Sequence, residues 1–153
     1  MNTKFKKLNN SIIKCKKCPR LIKFSKKISI TKRKQNITEV YWGKPVAGFG
    51  DIDARLMIIG LAPGAHGANR TGRIFTGDSS GDWLYGSLHL NGIAKIPTST
   101  SIKDGQELKD TRIACAVRCA PPGNKPSTEE RHTCAPFLTH EFSLVSKTTN
   151  AYL

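Results

Sequence analysis

The chain contains the sequence Leu56-Met-Ile-Ile-Gly-Leu-Ala-Pro-Gly-Ala-His-Gly-Ala-Asn-Arg-Thr-Gly-Arg-Ile-Phe-Thr-Gly-Asp78, in which a short apolar run is followed by a glycine-rich polar segment. The run from Leu56 to Ile59 has the length and the β-branched content of a buried strand. Glycines and a proline then end the regular structure at the carboxyl end of this strand, where open α/β sheets bind their ligands. The polar segment mixes cations, one aromatic ring and one carboxylate, a mixture that packing alone does not require. We interpret it as a binding loop, against the alternative of an ordinary strand-to-loop connection.

Further elements are predicted on both sides of this segment. Residues 4–15 have apolar side chains at helical spacing, and a second helix is predicted to begin at Pro19. Residues 80–91 predict another helix, and Ile113 to Val117 predict a second buried strand. The sequence Ser127-Thr-Glu-Glu130 has the form of a capping box, which indicates the start of a further helix. Strands that alternate with helices predict an α/β domain.

The charge of the chain is concentrated at its N-terminal end. The formal net charge is +14, and residues 1–44 hold 14 of the 25 Lys and Arg but only one of the 11 acidic residues. This distribution favours contact with a polyanion, and nucleic acid is a better candidate than a membrane surface. The alternative is a lysine-rich face that serves only to contact solvent. The sequence contains no apolar run of membrane-spanning length and no secretory signal, so we expect a cytoplasmic protein without membrane contact.

Five cysteines in such a chain favour metal binding over disulfide bonds. Cys15 and Cys18 form a Cys-x-x-Cys pair, whereas Cys119 and Cys134 flank a proline-rich loop and the start of a helix. Four thiolates bind zinc or an iron–sulfur cluster, and the wide spacing of the second pair favours a larger cluster over a compact zinc knuckle. The alternative, a buried free thiol, suits Cys115 because it lies within an apolar strand.

Four segments together resemble the iron–sulfur uracil-DNA glycosylases, and most closely their family 5, or type B, branch. The segments are Cys-Lys-Lys-Cys-Pro-Arg-Leu at 15–21, Tyr-Trp-Gly-Lys-Pro-Val-Ala-Gly-Phe-Gly-Asp at 41–51, the glycine-rich sequence at 60–78, and Ala-Val-Arg-Cys-Ala-Pro-Pro-Gly-Asn-Lys-Pro-Ser-Thr-Glu-Glu at 116–130, followed by Cys134. They occur in the family's order over nearly the whole chain, to about residue 141. The resemblance implies a single domain over residues 1–153, folded as a three-layer α/β/α sandwich with a central parallel sheet. Residues 1–40 would form a basic helical segment that carries two cluster cysteines.

The resemblance also implies a function. It implies a base-excision repair enzyme that hydrolyses the N-glycosidic bond of uracil in DNA, with hypoxanthine as a further candidate base. The implied partner is DNA that contains deaminated bases, and the protein is expected to be a monomer. The implied cofactor is a [4Fe–4S] cluster held by Cys15, Cys18, Cys119 and Cys134.

The site residues follow from the same resemblance. The enzyme must flip the target nucleotide out of the stack and hold its base in a pocket. The resemblance implies that Phe75 stacks on that base and that Asp78 is the catalytic carboxylate, with a plain helix N-cap as the alternative for Asp78. Asn124 either contacts the base or phosphate or belongs to an ordinary turn, and His66 is a weaker candidate. The remaining base-binding residues are Leu61, Ala62, Pro63 and Gly64, and the expected DNA-contacting cations are Lys32, Arg33, Lys34, Arg70 and Arg73.

Two departures from related patterns shape these expectations. Family 4 enzymes carry an acidic residue where this chain has Leu61, which favours family 5. The family's pattern is lost after about Glu141, where a further buried strand and a later His/Ser loop are expected, so we expect a C-terminally truncated member with an unpaired sheet edge beside residues 113–117. A non-catalytic iron–sulfur nucleic-acid-binding remnant is therefore the alternative function. A nucleotide-binding phosphate loop is disfavoured, because no Lys-Ser/Thr follows the glycines.

Overall fold

The computed structural model of the protein describes residues 3–145 and 147–153. The described residues form four strands and five α-helices, with short 3-10 helices at Lys34–Asn36 and Pro122–Asn124. The strands are β1 (Phe49–Gly50), β2 (Leu56–Gly60), β3 (Thr111–Cys115) and β4 (Ala151–Tyr152). The helices are α1 (Thr3–Ile13), α2 (Pro19–Thr31), α3 (Ala68–Thr71), α4 (Ser79–Leu90) and α5 (Thr128–Val145).

The four strands form one mixed sheet in the order β1-β3-β2-β4. Strands β2 and β3 are parallel over five residue pairs, from Leu56 opposite Thr111 to Gly60 opposite Cys115. Strand β4 is also parallel to β2, whereas β1 is antiparallel to β3. The predicted α/β class is confirmed, but the sheet is not wholly parallel. The expectation of an unpaired sheet edge beside β3 is wrong, because β1 pairs with β3 at that edge.

Helices cover both faces of the sheet. Successive strand residues point to opposite sides, so apolar side chains emerge on each face and are buried by the helices there. Ile58 of β2 and Ile113 of β3 pack into an apolar core with Tyr85 of α4. Met57 and Ala114, on the other face, pack with residues of α1 and α5. Burial of each large aliphatic side chain stabilises the fold by about 1.5–3 kcal/mol. The sheet therefore forms the middle layer of an α/β/α sandwich.

A buried ion-pair group joins the sheet to α5. Glu141 of α5 accepts hydrogen bonds from Arg112 of β3 at 2.5 Å and from Arg118 at 2.6 Å. All three side chains are almost completely buried, and the Arg112 guanidinium lies 4.4 Å from the centre of the Phe5 ring of α1. A buried charge that loses its partner destabilises a protein strongly. Moving α5 away from the sheet would separate these charges, and moving α1 would remove the ring from Arg112, so the group fixes both helices against the sheet.

No helix within residues 3–145 and 147–153 combines the length and the apolar character that crossing a membrane requires.

Candidate functional site

A cavity of about 350 Å³ lies beside the carboxyl ends of β2 and β3. We call it the site cavity. Its size lies in the range of small-molecule sites. Asp78 and all six predicted base-binding residues line the site cavity, and Ile74, Ser80 and Cys115 line it as well. The last three were not predicted as site residues, because an isoleucine, a serine or a buried strand cysteine carries no local signal of a ligand site.

Phe75 contributes its ring to the site cavity from an unusual backbone conformation. Its φ angle is +50°, in the left-handed region that few residues other than glycine adopt. A Cβ atom added at Gly60 would lie 3.0 Å from the Phe75 ring, and one added at Gly81 would overlap the Phe75 carbonyl oxygen. The two glycines therefore let the end of β2 and the first turn of α4 approach Phe75 closely. A strained backbone of this kind costs of the order of 1–3 kcal/mol and is typical of functional positions.

The Asp78 carboxylate has two separate environments. Its Oδ1 accepts a hydrogen bond of 2.9 Å from the Gly81 N–H, which makes Asp78 the N-cap of α4. Its Oδ2 lies against Gly64 and Gly67, and a Cβ atom added at Gly67 would overlap this oxygen. The N-cap interpretation is thus confirmed, while the second oxygen stays on the side of the glycine-rich loop. An oriented carboxylate can stabilise a developing positive charge or hold a water molecule for attack.

Two of the five cations assigned to DNA contact instead support the glycine-rich loop. Arg70 donates to Glu39 at 2.6 Å and to the Gly77 carbonyl oxygen at 2.7 Å. Arg73 is only 5% exposed and is paired with Asp104 at 2.5 Å. Because both guanidinium groups are used inside the fold, the predicted DNA contact does not fit their positions, and we assign them to the support of the loop.

The other three cations lie on the surface beside the glycine-rich loop. Arg33 and Lys34 are exposed, and Lys32 is half-buried at the end of α2. The Arg33 N–H donates to the Tyr41 hydroxyl at 3.4 Å, and this hydroxyl is 2.9 Å from His66 Nδ1 in the loop. Burial and, to a smaller extent, the nearby arginines lower the pKa of His66. The run 32–34 therefore adjoins the loop that forms one wall of the site cavity.

Asn124 lies at the mouth of the site cavity, within the 3-10 helix Pro122–Asn124. Its side chain is exposed, and its φ angle is +56°. Asparagine tolerates this left-handed conformation better than most residues, which suits a turn. The position fits both interpretations of Asn124.

Four cysteines line a second, small cavity with apolar walls. Cys119 and Cys134 are buried, and Cys15 and Cys18 are half-buried. We call these four residues the cysteine site. Burial and the neighbouring thiols raise the pKa of Cys119 to about 12. The Cys134 sulfur accepts a hydrogen bond of 3.3 Å from the backbone N–H of Arg118.

The donor set of the cysteine site fits an iron–sulfur cluster. Four soft thiolate ligands, apolar walls and a backbone N–H bonded to one sulfur are features of such sites. Cys115 lies apart, in β3, where burial raises its pKa to about 12. The fit is one of donor type and burial, because within the described parts of the chain no three His, Cys, Asp or Glu side chains lie close enough together to hold a metal ion.

An α/β/α sandwich with a cavity at the carboxyl ends of its parallel strands, lined by an aromatic ring and a carboxylate, belongs to the class of open α/β proteins that bind ligands at this edge of the sheet. Comparison with known families makes the assignment specific. The chain belongs to the uracil DNA glycosylase superfamily, whose family model matches residues 47–152.

The relatives that are 43–50% identical to the chain are type-5 uracil-DNA glycosylases, and those that are 29–30% identical are type-4 enzymes, so the resemblance to family 5 is confirmed. The chain is 49% identical over 144 residues to the enzyme of Mycobacterium leprae, a match that covers 94% of this chain and 63% of the relative. It is 50% identical over 139 residues to that of Mycobacterium tuberculosis, with 91% and 52% covered. It is 46% identical over 131 residues to that of Thermus thermophilus, with 86% and 59% covered. The chain thus spans about half to two thirds of the length of these relatives.

Proposed function

We propose that the protein is a DNA-repair glycosylase that hydrolyses the N-glycosidic bond between uracil and deoxyribose in DNA, with hypoxanthine as a further candidate base. One observation carries the proposal: the ring of Phe75 and the carboxylate of Asp78 line the same cavity of about 350 Å³. A flipped base stacks on aromatic or apolar side chains of its pocket, and a carboxylate can stabilise the positive charge that develops on the sugar as the bond breaks. The type-5 names of the relatives support the same activity.

The site residues divide the reaction between them. The flipped base stacks on Phe75, and the backbone of residues 61–64 lines its edge. As the bond breaks, positive charge develops on the sugar and negative charge on the leaving base. Asp78 stabilises the sugar and orients the water whose oxygen bonds to C1′, while the base leaves with the bonding electron pair and is then protonated. The N-cap hydrogen bond fixes the carboxylate beforehand, so little reorganisation is needed during the reaction.

The cysteine site is proposed to hold a [4Fe–4S] cluster. When bound, the cluster supplies a cross-link between the thiolates of Cys15, Cys18, Cys119 and Cys134. Leu21 and Val117 pack with the buried cysteines and exclude water from the site. The cross-link joins the α1–α2 connection to α5 and to the segment after β3, which favours a structural role.

The proposed partner is DNA, contacted by Lys32, Arg33 and Lys34 beside the glycine-rich loop. Phosphate contacts by lysine and arginine position a protein on DNA without reading its sequence. We further propose that the protein acts as a monomer in the cytoplasm, as one domain over residues 1–153 with a basic helical segment at residues 1–40. The packing of α1 against the sheet through Phe5 supports a single domain. A non-catalytic nucleic-acid-binding remnant is not favoured, because Asp78 and Phe75 both line the site cavity.

The test measures uracil release from labelled single- and double-stranded oligonucleotides by the protein and by its Asp78→Asn variant. Asparagine is as good an N-cap as aspartate, so this variant keeps the fold and loses only the charge. We expect the protein to release uracil and Asp78→Asn to do so on the order of a hundredfold more slowly. The control is Asp82→Asn, an exposed position in the first turn of the same helix, which should leave the rate unchanged. Equal rates for the protein and Asp78→Asn, or no release by the protein, would overturn the proposal.

A further inference from the structure

The backbone on both sides of Phe75 is fixed by hydrogen bonds. Before it, the Ile74 carbonyl oxygen accepts hydrogen bonds from the Thr76 hydroxyl at 3.1 Å and from the Tyr85 hydroxyl at 3.3 Å. After it, the Gly77 N–H donates to the Ser99 carbonyl oxygen at 2.9 Å. Phe75 itself has the left-handed backbone described above. A conformation of this kind persists only where the surrounding structure imposes it.

Arg73 is at the centre of the groups that impose this backbone conformation on Phe75. Its Nε donates to the Thr76 hydroxyl at 3.0 Å, and its Nη2 donates to the Ser99 hydroxyl at 2.5 Å. The same Nη2 is paired with Asp104 at 2.5 Å. One guanidinium thus binds the segment that contains Phe75 and the separate loop of residues 97–106.

The surroundings of Arg73 favour a fixed orientation over a mobile one. Its guanidinium carbon lies 4.8 Å from the centre of the Phe49 ring and 5.9 Å from that of Tyr85. The Thr76 and Ser99 hydroxyls are 2.7 Å apart, which closes the network. A planar guanidinium that is packed on a ring and hydrogen-bonded through two nitrogens has a geometry that lysine cannot reproduce.

We propose that Arg73 is the positioning residue for Phe75: through Thr76, Ser99 and Asp104 it holds the backbone that aims the Phe75 ring into the site cavity. This inference rests on the proposed function in one respect, namely that the group which the Phe75 ring binds is a DNA base. Arg73 is buried and does not line the site cavity, so it acts through base capture rather than through bond cleavage.

The experiment compares Arg73→Met and Arg73→Lys with a control, Glu107→Gln, which removes the exposed Lys95–Glu107 pair beside the same loop. The first readout is steady-state kinetics on uracil-containing DNA. Because a misplaced ring stacks less well on the base, Arg73→Met should raise KM roughly tenfold while kcat changes much less. Arg73→Lys should recover part of the loss, and Glu107→Gln should match the unmodified protein. An equal KM for Arg73→Met and the control would overturn the inference, as would a loss confined to kcat.

The second readout does not depend on activity. Amide hydrogen exchange, followed by mass spectrometry, should be faster in residues 74–78 of Arg73→Met than in those of the control. Unchanged exchange in this segment would contradict the positioning role even if no uracil is released. If Arg73→Met does not fold, Ser99→Ala removes one arm of the network and must raise KM and the exchange of residues 74–78 for the inference to stand. A protein that releases no uracil but shows the exchange difference refutes the proposed function alone.

Discussion

Arg20 forms a two-pronged ion pair with Glu130, in which the Nε–Oε1 and Nη2–Oε2 distances are both 2.7 Å. The pair joins the first turn of α2 to the first turn of α5. Cys18 directly precedes α2, and Cys134 lies one turn after Glu130 in α5. The hydrogen bonds from Arg20 lower the pKa of Glu130, which therefore stays charged in mildly acidic solution. The two parts of the cysteine site are thus held together by side chains other than the cysteines.

The first prediction concerns the cysteine site. We expect the purified protein to be brown and to contain iron and inorganic sulfide, because four thiols share one cavity. Cys134→Ser should lose most of the colour and lower the melting temperature. Cys115→Ser is the matched control, since this buried thiol lies in β3 outside the cysteine site, and it should keep the iron content. Stoichiometric zinc without iron would contradict the cluster.

The second prediction uses the close approach of Gly67 to Asp78. In Gly67→Ala the new methyl group would overlap Asp78 Oδ2, so the carboxylate must move. We expect uracil release to fall on the order of a hundredfold, as for other lost electrostatic contacts in active sites. The control is Gly86→Ala, whose Cβ atom would have its nearest neighbour at 3.9 Å, within α4.

In the control, helix propensity predicts about 1 kcal/mol of added stability and an unchanged rate. A Gly67→Ala variant with full activity would mean that the position of Asp78 Oδ2 does not matter for the reaction. Urea unfolding of both variants separates a local change in the site from a loss of the fold.

Much of the fold and of the site cavity could be predicted because the signals are local. The apolar runs of β2 and β3, the N-cap of α4 and the capping box of α5 all lie within a few neighbouring residues. Strands β1 and β4 could not be predicted, because two residues show no periodicity and their pairing depends on distant partners. The sequence predicts DNA contact for Arg73 because it shows a cation in a polar loop. The actual partner, Asp104, lies 31 residues away in another polar segment. Burial of a cation by such a partner has no local signature.

The third prediction concerns the basic run 32–34. If these residues neutralise phosphates, DNA affinity should fall steeply with salt and be nearly independent of sequence. Replacing all three residues by Gln should reduce the slope of log affinity against log salt by roughly 2–3, about 0.9 for each lost contact.

The control for the basic run replaces the exposed Lys95, Lys103 and Lys109 by Gln. Lys109 lies shortly before β3, at the end of the sheet opposite to the site cavity. The net charge changes equally in the two variants, so only a local effect can distinguish their slopes. Equal slopes would mean that residues 32–34 contact only solvent and not the DNA phosphates.

The fourth prediction is a pH dependence of stability. Burial alone would raise the pKa of Asp104, but the hydrogen bonds from Arg73 and from three backbone N–H groups lower it to about 2. A carboxyl group with a lowered pKa stabilises the folded state above its ordinary pKa near 4, and this stabilisation is lost as the pH falls towards 2. Urea unfolding at pH 5, 4 and 3 should show this loss in the unmodified protein. In Asp104→Asn the dependence should be weaker and the stability at pH 5 lower, whereas Glu107→Gln should behave like the unmodified protein.

The left-handed backbone of Phe75 implies a conflict between stability and activity at this one position. Glycine adopts positive φ angles without strain, so Phe75→Gly should relax the loop relative to Phe75→Ala, although both lack the ring. A selection for thermal stability alone would therefore favour glycine over alanine here, and both would lose base capture. At this position the side chain that the proposed function needs and the backbone conformation that the loop imposes favour different residues, so stability is exchanged for function.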